Sequence, residues 1–250
     1  MSCDFTFKHY EFILNELLKQ GYLFLSLQNV ENNKPKQIIL RHDIDFGLKF
    51  ENALDMAEIE NKLKIKSTWY VILKSPFYNL FSVDEHRILS SLISSGHEIG
   101  LHFDGASYLD STQAELENAI LNEKEILEAL TGNNINSFSF HRPASSSIKV
   151  HEILPSSLIN AYDNCFTSGS FIYASDSRRN WKDGCICQRI LVEKINNLQL
   201  LVHPFWWNSK NLSLKERFDL FYDQIIENHE KALESNIRDW KEEKLGTKFA

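Results

Sequence analysis

The chain has 250 residues, of which 43% are hydrophobic and 24% are charged, and its formal net charge is −7. This length can bury a full core, so we expect one domain over residues 1–250. The acidic balance argues against nucleic acid and anionic membrane surfaces as partners. The sequence has no apolar run of roughly 18 or more residues and no secretory signal pattern, which predicts a cytoplasmic protein without membrane insertion.

The predicted elements alternate from the first strong signal onward. A short apolar run predicts a buried strand over 37–42, and apolar residues near helical spacing predict a helix over 48–64. Aromatic and β-branched residues predict a second strand over 67–73. A helix over 84–95, capped by Asp84 and ended by a glycine, then leads into a short strand over 97–102.

The same alternation continues in the second half of the chain. The further elements are a helix capped by Ser111 or Thr112 and ended by Gly132, strands over 137–141 and 198–203, and an amphipathic helix or helix pair over 213–244. Residues 144–190 are less regular and are predicted to form loops with short strands. Strands that alternate with helices of this length indicate a parallel α/β sheet or barrel.

Four cysteines are present, at Cys3, Cys165, Cys185 and Cys187. Only the last two are close in sequence. Their Cys-x-Cys spacing differs from the Cys-x-x-Cys spacing of zinc and redox motifs. We therefore expect four reduced thiols.

Ionisable residues follow four of the predicted strands. In chain order the strand ends read RHDID over 41–45, HFD over 102–104, HRP over 141–143 and HPFWW over 203–207. The carboxyl ends of parallel strands lie on one face of an α/β fold, where active sites form. We therefore expect these four segments to converge.

The first of these strand ends indicates a metal site. Asp43 and Asp45 are two residues apart and would share one side of a regular strand. Two carboxylates in that position repel each other unless a cation or a proton lies between them. Together with His102 they would suit zinc, with cobalt or nickel as alternatives. The competing interpretation is a pair of loop carboxylates that cap the next helix.

The later strand ends offer an acid and its support. His203 follows an apolar strand, and Asp176, from the irregular region, could orient its ring. Trp206 and Trp207 could wall a ring-binding cleft, although core packing would also explain them. Arg142 could hold a nearby carboxylate base ionised, or could form a surface ion pair.

These segments resemble those of a known superfamily. RHDIDFG, STWYVIL, GHEIGLHFD, SFSFHRP, DSRRNW and LQLLVHPFWW follow one another over residues 38–207. The series resembles the polysaccharide deacetylase superfamily (carbohydrate esterase family 4), and more closely an uncharacterised bacterial branch with an Arg-His-Asp-Val-Asp block. The resemblance implies a distorted (β/α) barrel of about seven strands and a divalent metal. It also implies removal of an acetyl group from a sugar.

The resemblance also assigns roles to the first strand end. By motif order, Asp43 corresponds to the catalytic base and Asp45 to a metal ligand, although the two roles could be exchanged. In the family these two Asp are adjacent, whereas Ile44 separates them here. Arg142 then corresponds to the Arg that pairs with the base.

The metal ligands depart from the family pattern. His102 corresponds to the first of two His ligands, but the second would fall on Ala106, which cannot coordinate. We hypothesise that His141, from the neighbouring strand, supplies the missing ligand, with Asp104 as the alternative.

The remaining motifs match the acid side of the family's active site. His203 corresponds to the general acid, and Asp176 and Trp181 to the motif that supports it. With Trp206 and Trp207, Trp181 is also a candidate substrate-binding residue.

The function expected from this resemblance is metal-dependent amide hydrolysis. The substrate would be an amino sugar, either a small carbohydrate or a nucleotide- or lipid-linked precursor of a surface polysaccharide. A hydrolase of a non-sugar amide on the same fold is one alternative. A catalytically lapsed sugar-binding or interaction module is another, and Ala106 favours it.

Overall fold

The computed structural model describes residues 4–31, 34–143, 149–237 and 240. Cys3, part of the irregular region and the end of the predicted C-terminal helical segment lie outside the described residues. The chain divides into a unit that ends at Lys210 and a unit that begins at Asn211. The expectation of one domain over the whole chain stays a prediction.

The first unit is built on a sheet of eight strands. They are β1 (Leu23–Leu25), β2 (Gln37–Ile44), β3 (Thr68–Val71), β4 (Glu98–Asp104), β5 (Ser137–His141), β6 (Ile159–Asn160), β7 (Ile172–Ser175) and β8 (Leu198–Val202). Seven follow the order β6-β5-β4-β3-β2-β8-β7, and β1 pairs with β2. All pairs are parallel. The sheet curls into a half-barrel, which confirms the predicted α/β barrel-like fold.

The helices of the first unit are α1 (Phe7–Lys19), α2 (Ala53–Lys62), α3 (Val83–Ser94), α4 (Gln113–Thr131), α5 (Asn164–Thr167) and α6 (Ile186–Val192). The second unit contains α7 (Leu214–Asn236). A capping box between Thr112 and Glu115 begins α4, and Gly132, with φ +67°, ends it. Among the described helices, none is both long and apolar enough to cross a membrane.

The helix α1 is absent from the sequence prediction. Tyr10, Ile13, Leu14 and Leu17 are buried at helical spacing, and the hydroxyl of Thr6 caps the helix by accepting from a backbone N–H. The sequence therefore contained a helical pattern over α1. The start of α3 also differs, because Ser82 rather than Asp84 is its N-cap residue.

The two faces of the sheet carry different residues. On β2, Ile38, Leu40 and Ile44 join the main hydrophobic core, whereas Ile39 belongs to a second, smaller core with Tyr70. Side chains alternate along a strand, so Arg41 and Asp43 share the face of Ile39 inside the curled sheet. Arg41, Asp43 and, from β4, His102 therefore point into one space inside the curl.

A glycine allows close packing inside this space. A Cβ atom added to Gly100 would lie 2.4 Å from the Tyr70 ring. The Tyr70 hydroxyl reaches Ser137 Oγ at 2.8 Å. Only a residue without a side chain lets the Tyr70 ring cross β4 at this distance.

Candidate active site

Three predicted metal ligands meet at the carboxyl ends of their strands. Asp45 follows β2, His102 lies in β4 and His141 ends β5. Asp45 Oδ1 lies 3.1 Å from His141 Nδ1 and 3.4 Å from His102 Nε2. One ligating atom from each residue falls within 4.8 Å of the other two. The structure therefore brings together residues almost 100 positions apart in the sequence.

This group fits a divalent metal. Asp45 Oδ1 is buried and has no hydrogen bond within the described part of the chain. The other ring nitrogen of His102 pairs with Ser139 Oγ at 2.6 Å, which fixes the ring with Nε2 toward Asp45. One carboxylate and two imidazoles form a donor set that suits zinc.

The charge of Asp45 is stabilised by its neighbours. Burial alone would raise the pKa of this carboxyl group. Contacts with His102 and His141, and the charge on His203, outweigh burial and hold the pKa of Asp45 well below its usual range. Asp45 is therefore an anion, as a metal ligand must be.

Asp43 lies beside this group and is paired with Arg41. Asp43 Oδ2 accepts a hydrogen bond from Arg41 Nη2 at 3.0 Å, and the two side chains are 2% and 0% exposed. Its other oxygen, Oδ1, is buried without a hydrogen bond among the described residues. Asp43 Oδ2 also lies 3.7 Å from His102 Nε2. The pair places the Asp43 carboxylate next to the candidate metal centre, with Oδ2 toward His102 Nε2.

The partner predicted for Asp43 is wrong. Arg142 Nη2 pairs with Asp104 Oδ2 at 2.8 Å, and the Arg142 side chain is 57% exposed. Arg41 takes the predicted place because it lies two residues from Asp43 on the same face of one strand. Arg142 follows β5 with φ +48° and projects outward.

Asp104, the alternative metal ligand, is also engaged elsewhere. Its Oδ2 pairs with Arg142, and its Oδ1 accepts from the backbone N–H of Ala106 at 3.0 Å. Asp104 is not part of the group formed by Asp45, His102 and His141.

His203 is held by Asp176, as the sequence predicts. Asp176 Oδ1 accepts from the His203 backbone N–H at 2.9 Å and pairs with His203 Nδ1 at 2.7 Å. Burial would lower the pKa of His203, but the contact with Asp176 and the charges of Asp45 and Asp43 raise the pKa to about 9. His203 therefore carries a proton at neutral pH.

The three candidate substrate-binding tryptophans differ in exposure. Trp207 is fully buried, and its indole N–H donates to Asp176 Oδ2 at 2.8 Å. Its prediction as a substrate contact is wrong, because both its ring and its donor face the interior. Trp181 is 8% exposed, and Trp206 is half-buried. Trp206 is thus the predicted tryptophan that keeps accessible surface.

Comparison with known proteins adds to this geometry. No protein-family model and no curated protein matches the chain. Among solved structures, a chitin deacetylase from the fungal pathogen Colletotrichum lindemuthianum matches 80% of this chain and 86% of its own, with a TM-score of 0.50 and 12% identity. The chain has the polysaccharide deacetylase fold.

Other proteins with the polysaccharide deacetylase fold also match. The peptidoglycan deacetylase PdaC from Bacillus subtilis is 15% identical over 87% of this chain and 95% of its own, with a TM-score of 0.44. A mutant of a family 4 carbohydrate esterase pseudoenzyme, with restored enzymatic activity, is 17% identical over 80% of this chain, with a TM-score of 0.47. The match spans 65% of that protein, slightly less than two thirds of its length.

On this deacetylase fold, sequence reasoning missed three supporting residues. They are Arg41 at Asp43, Ser139 at His102 and Trp207 at Asp176. Arg41 had a signal, since it stands two residues before Asp43 on a predicted strand. Ser139 and Trp207 act across strands, and no local pattern indicates such contacts.

Proposed function

We propose that the chain is a metal-dependent hydrolase that removes an acetyl group from an amino sugar. The observation that carries this proposal is the convergence of Asp45, His102 and His141 beside the oriented pair of His203 and Asp176. A divalent metal, best zinc, bound by those three ligands would polarise the amide carbonyl and lower the pKa of water.

Asp43 acts as the general base. Its Oδ2 is held by Arg41, so Oδ1 is the atom that accepts a proton from the attacking water. Arg41 keeps the carboxylate charged in a buried setting, because its own charge compensates that of Asp43. The Arg41 guanidinium also lies 4.7 Å from the Tyr162 ring centroid, which limits its movement.

His203 acts as the general acid. Its Nδ1 is bound to Asp176, so Nε2 carries the proton that passes to the leaving nitrogen. An amine leaves poorly as an anion, and this proton lets the carbon–nitrogen bond break with a neutral amine as product. The acetyl carbon retains the oxygen of the water, and acetate is the second product.

Aromatic side chains near the site support a sugar as substrate. Phe46 directly follows Asp45, and its ring lies 5.0 Å from the exposed ring of Phe77. Trp206 lies three residues after His203 and is half-buried. Apolar rings beside a few polar groups are typical of ligand clefts. We propose a nucleotide- or lipid-linked acetamido sugar, a precursor of a surface polysaccharide, as the substrate class.

The test is acetate release by the purified zinc-loaded protein. The substrates are a nucleotide-linked N-acetyl amino sugar and free N-acetyl amino sugars. A cyclic ureide, the non-sugar amide, releases no acetate on hydrolysis, and its cleavage is followed by loss of the intact ring in chromatography. We expect release from an acetamido sugar and a loss of roughly 10²–10⁴-fold in kcat for His203→Ala. His86→Ala, which changes an exposed histidine on α3, is the matched control and should keep full activity. Full turnover by His203→Ala would contradict the role of His203 as general acid. Cleavage of the ureide alone would contradict an amino sugar as the substrate.

A lapsed sugar-binding module is the second candidate. It is favoured by Ala106 at the position where the family supplies its second His ligand. Metal analysis separates the two candidates, because the lapsed module requires no metal at Asp45, His102 and His141. Loss of one equivalent of bound zinc in His141→Ala, together with loss of acetate release, supports the hydrolase.

A further inference from the structure

A second group of ligating side chains lies away from the candidate active site. It consists of His9 in α1, Cys185 directly before α6 and Cys187 within α6. One ligating atom from each lies within 4.8 Å of the other two, and His9 Nε2 is 3.9 Å from Cys185 Sγ. The three residues are 6%, 6% and 3% exposed. We call them the cysteine cluster.

The distances suit a thiophilic metal. In a tetrahedral zinc site, with bonds of about 2.0 Å to nitrogen and 2.3 Å to sulfur, the nitrogen and sulfur atoms lie roughly 3.5 Å apart. The distance between His9 and Cys185 therefore needs to shrink by only a few tenths of an ångström. Cys187 supplies a second sulfur, and one coordination position is left for a fourth ligand.

A carboxylate stands behind the histidine of the cluster. The Asp4 backbone N–H donates to His9 Nδ1 at 3.4 Å, and Asp4 Oδ1 lies 3.5 Å from the same nitrogen and accepts from the Thr6 hydroxyl at 2.9 Å. Thr6 Oγ1 in turn accepts from the His9 backbone N–H at 3.2 Å. These contacts at Nδ1 hold the orientation of the His9 ring, with Nε2 toward Cys185.

Packing alone is the plainer explanation for buried cysteines. Packing does not require an imidazole nitrogen and two sulfurs, from segments 176 residues apart, to approach one another. Nor does it require a carboxylate behind the ring. The cluster was not visible as a zinc motif in the sequence. Cys185 and Cys187 lack the Cys-x-x-Cys spacing, and the third ligand, His9, comes from the other end of the chain.

We propose that His9, Cys185 and Cys187 bind a zinc ion that fastens α1 to α6. The site is structural, and it does not depend on the proposed hydrolase function. The cysteine cluster lies close to Trp207, which contacts Asp176. The His9 ring lies 6.1 Å from the ring of Trp207, and Trp207 holds Asp176. The cysteine cluster therefore supports the layer of side chains behind His203.

Cobalt(II) titration of the reduced, metal-free protein tests this site. Thiolate ligands give cobalt an intense charge-transfer absorption in the near ultraviolet, which carboxylate and imidazole ligands do not give. We expect this absorption to reach its maximum at one equivalent in the Asp45→Asn variant, where the candidate catalytic site is disabled. Zinc should then displace the cobalt and abolish the absorption.

Three variants complete the test. Cys187→Ser should remove or strongly weaken the charge-transfer absorption, and His9→Gln should weaken cobalt binding at least 10-fold by removing one ligand. Cys165→Ser is the matched control, because Cys165 lies outside the cluster, and it should keep the full absorption. Near-ultraviolet circular dichroism checks that each variant is folded.

Two results overturn the proposal. One is a folded wild-type protein that shows no thiolate-to-cobalt absorption at several equivalents of cobalt. The other is an absorption that survives unchanged in both folded variants, Cys187→Ser and His9→Gln. Neither result bears on acetate release, so this site and the hydrolase proposal can fail separately.

Discussion

Asp176 holds His203 at two points and is itself held by Trp207. The same arrangement recurs at the residue scale for two more of the proposed chemical groups. Arg41 holds Asp43, and Ser139 holds His102. In Asp43, His102 and His203 the reacting or ligating atom is then the second atom of a group whose first atom is already bound. Such groups are oriented before a substrate arrives, which lowers the cost of reaching the reactive geometry.

The pH dependence of the reaction should report the contact between Asp176 and His203. A general acid works while protonated, and the pKa of His203 is raised to about 9, so activity should persist to alkaline pH and fall as pH rises through this value. In Asp176→Asn the charge that raises the pKa is lost. We expect the alkaline limb of the kcat profile to move toward the ordinary histidine value and kcat to fall roughly 10²–10⁴-fold.

The control for this prediction is Trp207→Phe. It removes one hydrogen bond from Asp176 but keeps its charge, so the alkaline limb should move less than in Asp176→Asn. An alkaline limb that stays in place in Asp176→Asn contradicts the role of Asp176.

The two arginine–aspartate pairs should differ sharply in their effect on stability. Arg41→Met leaves Asp43 as a buried, unpaired charge, so the free energy of unfolding should fall by about 3–5 kcal/mol. Arg142→Met breaks the largely exposed pair with Asp104 and should lower the free energy of unfolding by roughly 0–1 kcal/mol. Urea unfolding at neutral pH measures both values. Equal losses for the two variants would contradict the assignment of Arg41 as the partner of Asp43.

At the scale of elements, the strand β2 places polar side chains on both of its faces. Its inner face carries Arg41 and Asp43, whereas His42 points to the helices and stacks on Trp69 with ring centroids 4.0 Å apart. His42 Nε2 pairs with Glu60 of α2 at 2.6 Å, and Ser67 Oγ donates to the same carboxylate at 2.5 Å. A buried polar network thereby fixes α2 against the back of the strand that carries Arg41 and Asp43.

This network should make stability depend on pH. Burial lowers the pKa of His97, whose ring nitrogen lies 3.1 Å from Ser67 Oγ, to about 4, and the attraction of Glu60 only partly offsets burial. The unfolded chain binds a proton at this histidine below about pH 6.5, whereas the folded chain does not. Stability is therefore lost as pH falls from about 6.5 toward 4, on the order of 1–2 kcal/mol between pH 7 and pH 5.

Urea unfolding at pH 7 and pH 5 checks this prediction with two variants. His97→Gln cannot take up the proton and should lose less stability over this interval than the wild type. His86→Gln, at an exposed histidine, should keep the wild-type difference. An identical difference in His97→Gln would show that another group titrates.

At the scale of the whole molecule, the parallel sheet places four distant segments at one rim. Asp45, His102, His141 and His203 each lie at or near the carboxyl end of a strand. The sheet order places β4 and β5 on one side of β2 and β8 on the other. The two candidate histidine ligands therefore come from one side of β2, and His203, the proposed general acid, comes from the opposite side. A substrate between them would contact both.

Metal binding at this rim should stabilise the entire fold. A metal that binds only the folded chain adds about 2.7 kcal/mol at 100 times its Kd. For a protein of this size each kcal/mol raises Tm by roughly 2–4 °C. We expect zinc to raise Tm of the metal-free Cys187→Ser protein, in which the cysteine cluster is disabled. The added change His102→Ala should abolish the increase, as measured by thermal unfolding, and an undiminished increase would exclude this site.

The sequence by itself determined five of the strands, β2, β3, β4, β5 and β8, and where they end. An apolar run followed at once by ionisable residues is a local pattern, and its meaning depends on few distant contacts. From it the convergence of Asp45, His102 and His141 could be anticipated, whereas the pairing of His203 with Asp176 was expected mainly from the resemblance to the deacetylases. The parallel fold followed from the alternation of helices and strands.

Only the tertiary structure decided which side chains pair with one another. Arg41 rather than Arg142 neutralises Asp43, Trp207 faces Asp176 rather than a substrate, and His9 joins two cysteines from the far end of the chain. These contacts depend on strand order, on the curl of the sheet and on which charges are buried. None of these is encoded in the local periodicity of the sequence, because burial is a property of the whole packed core.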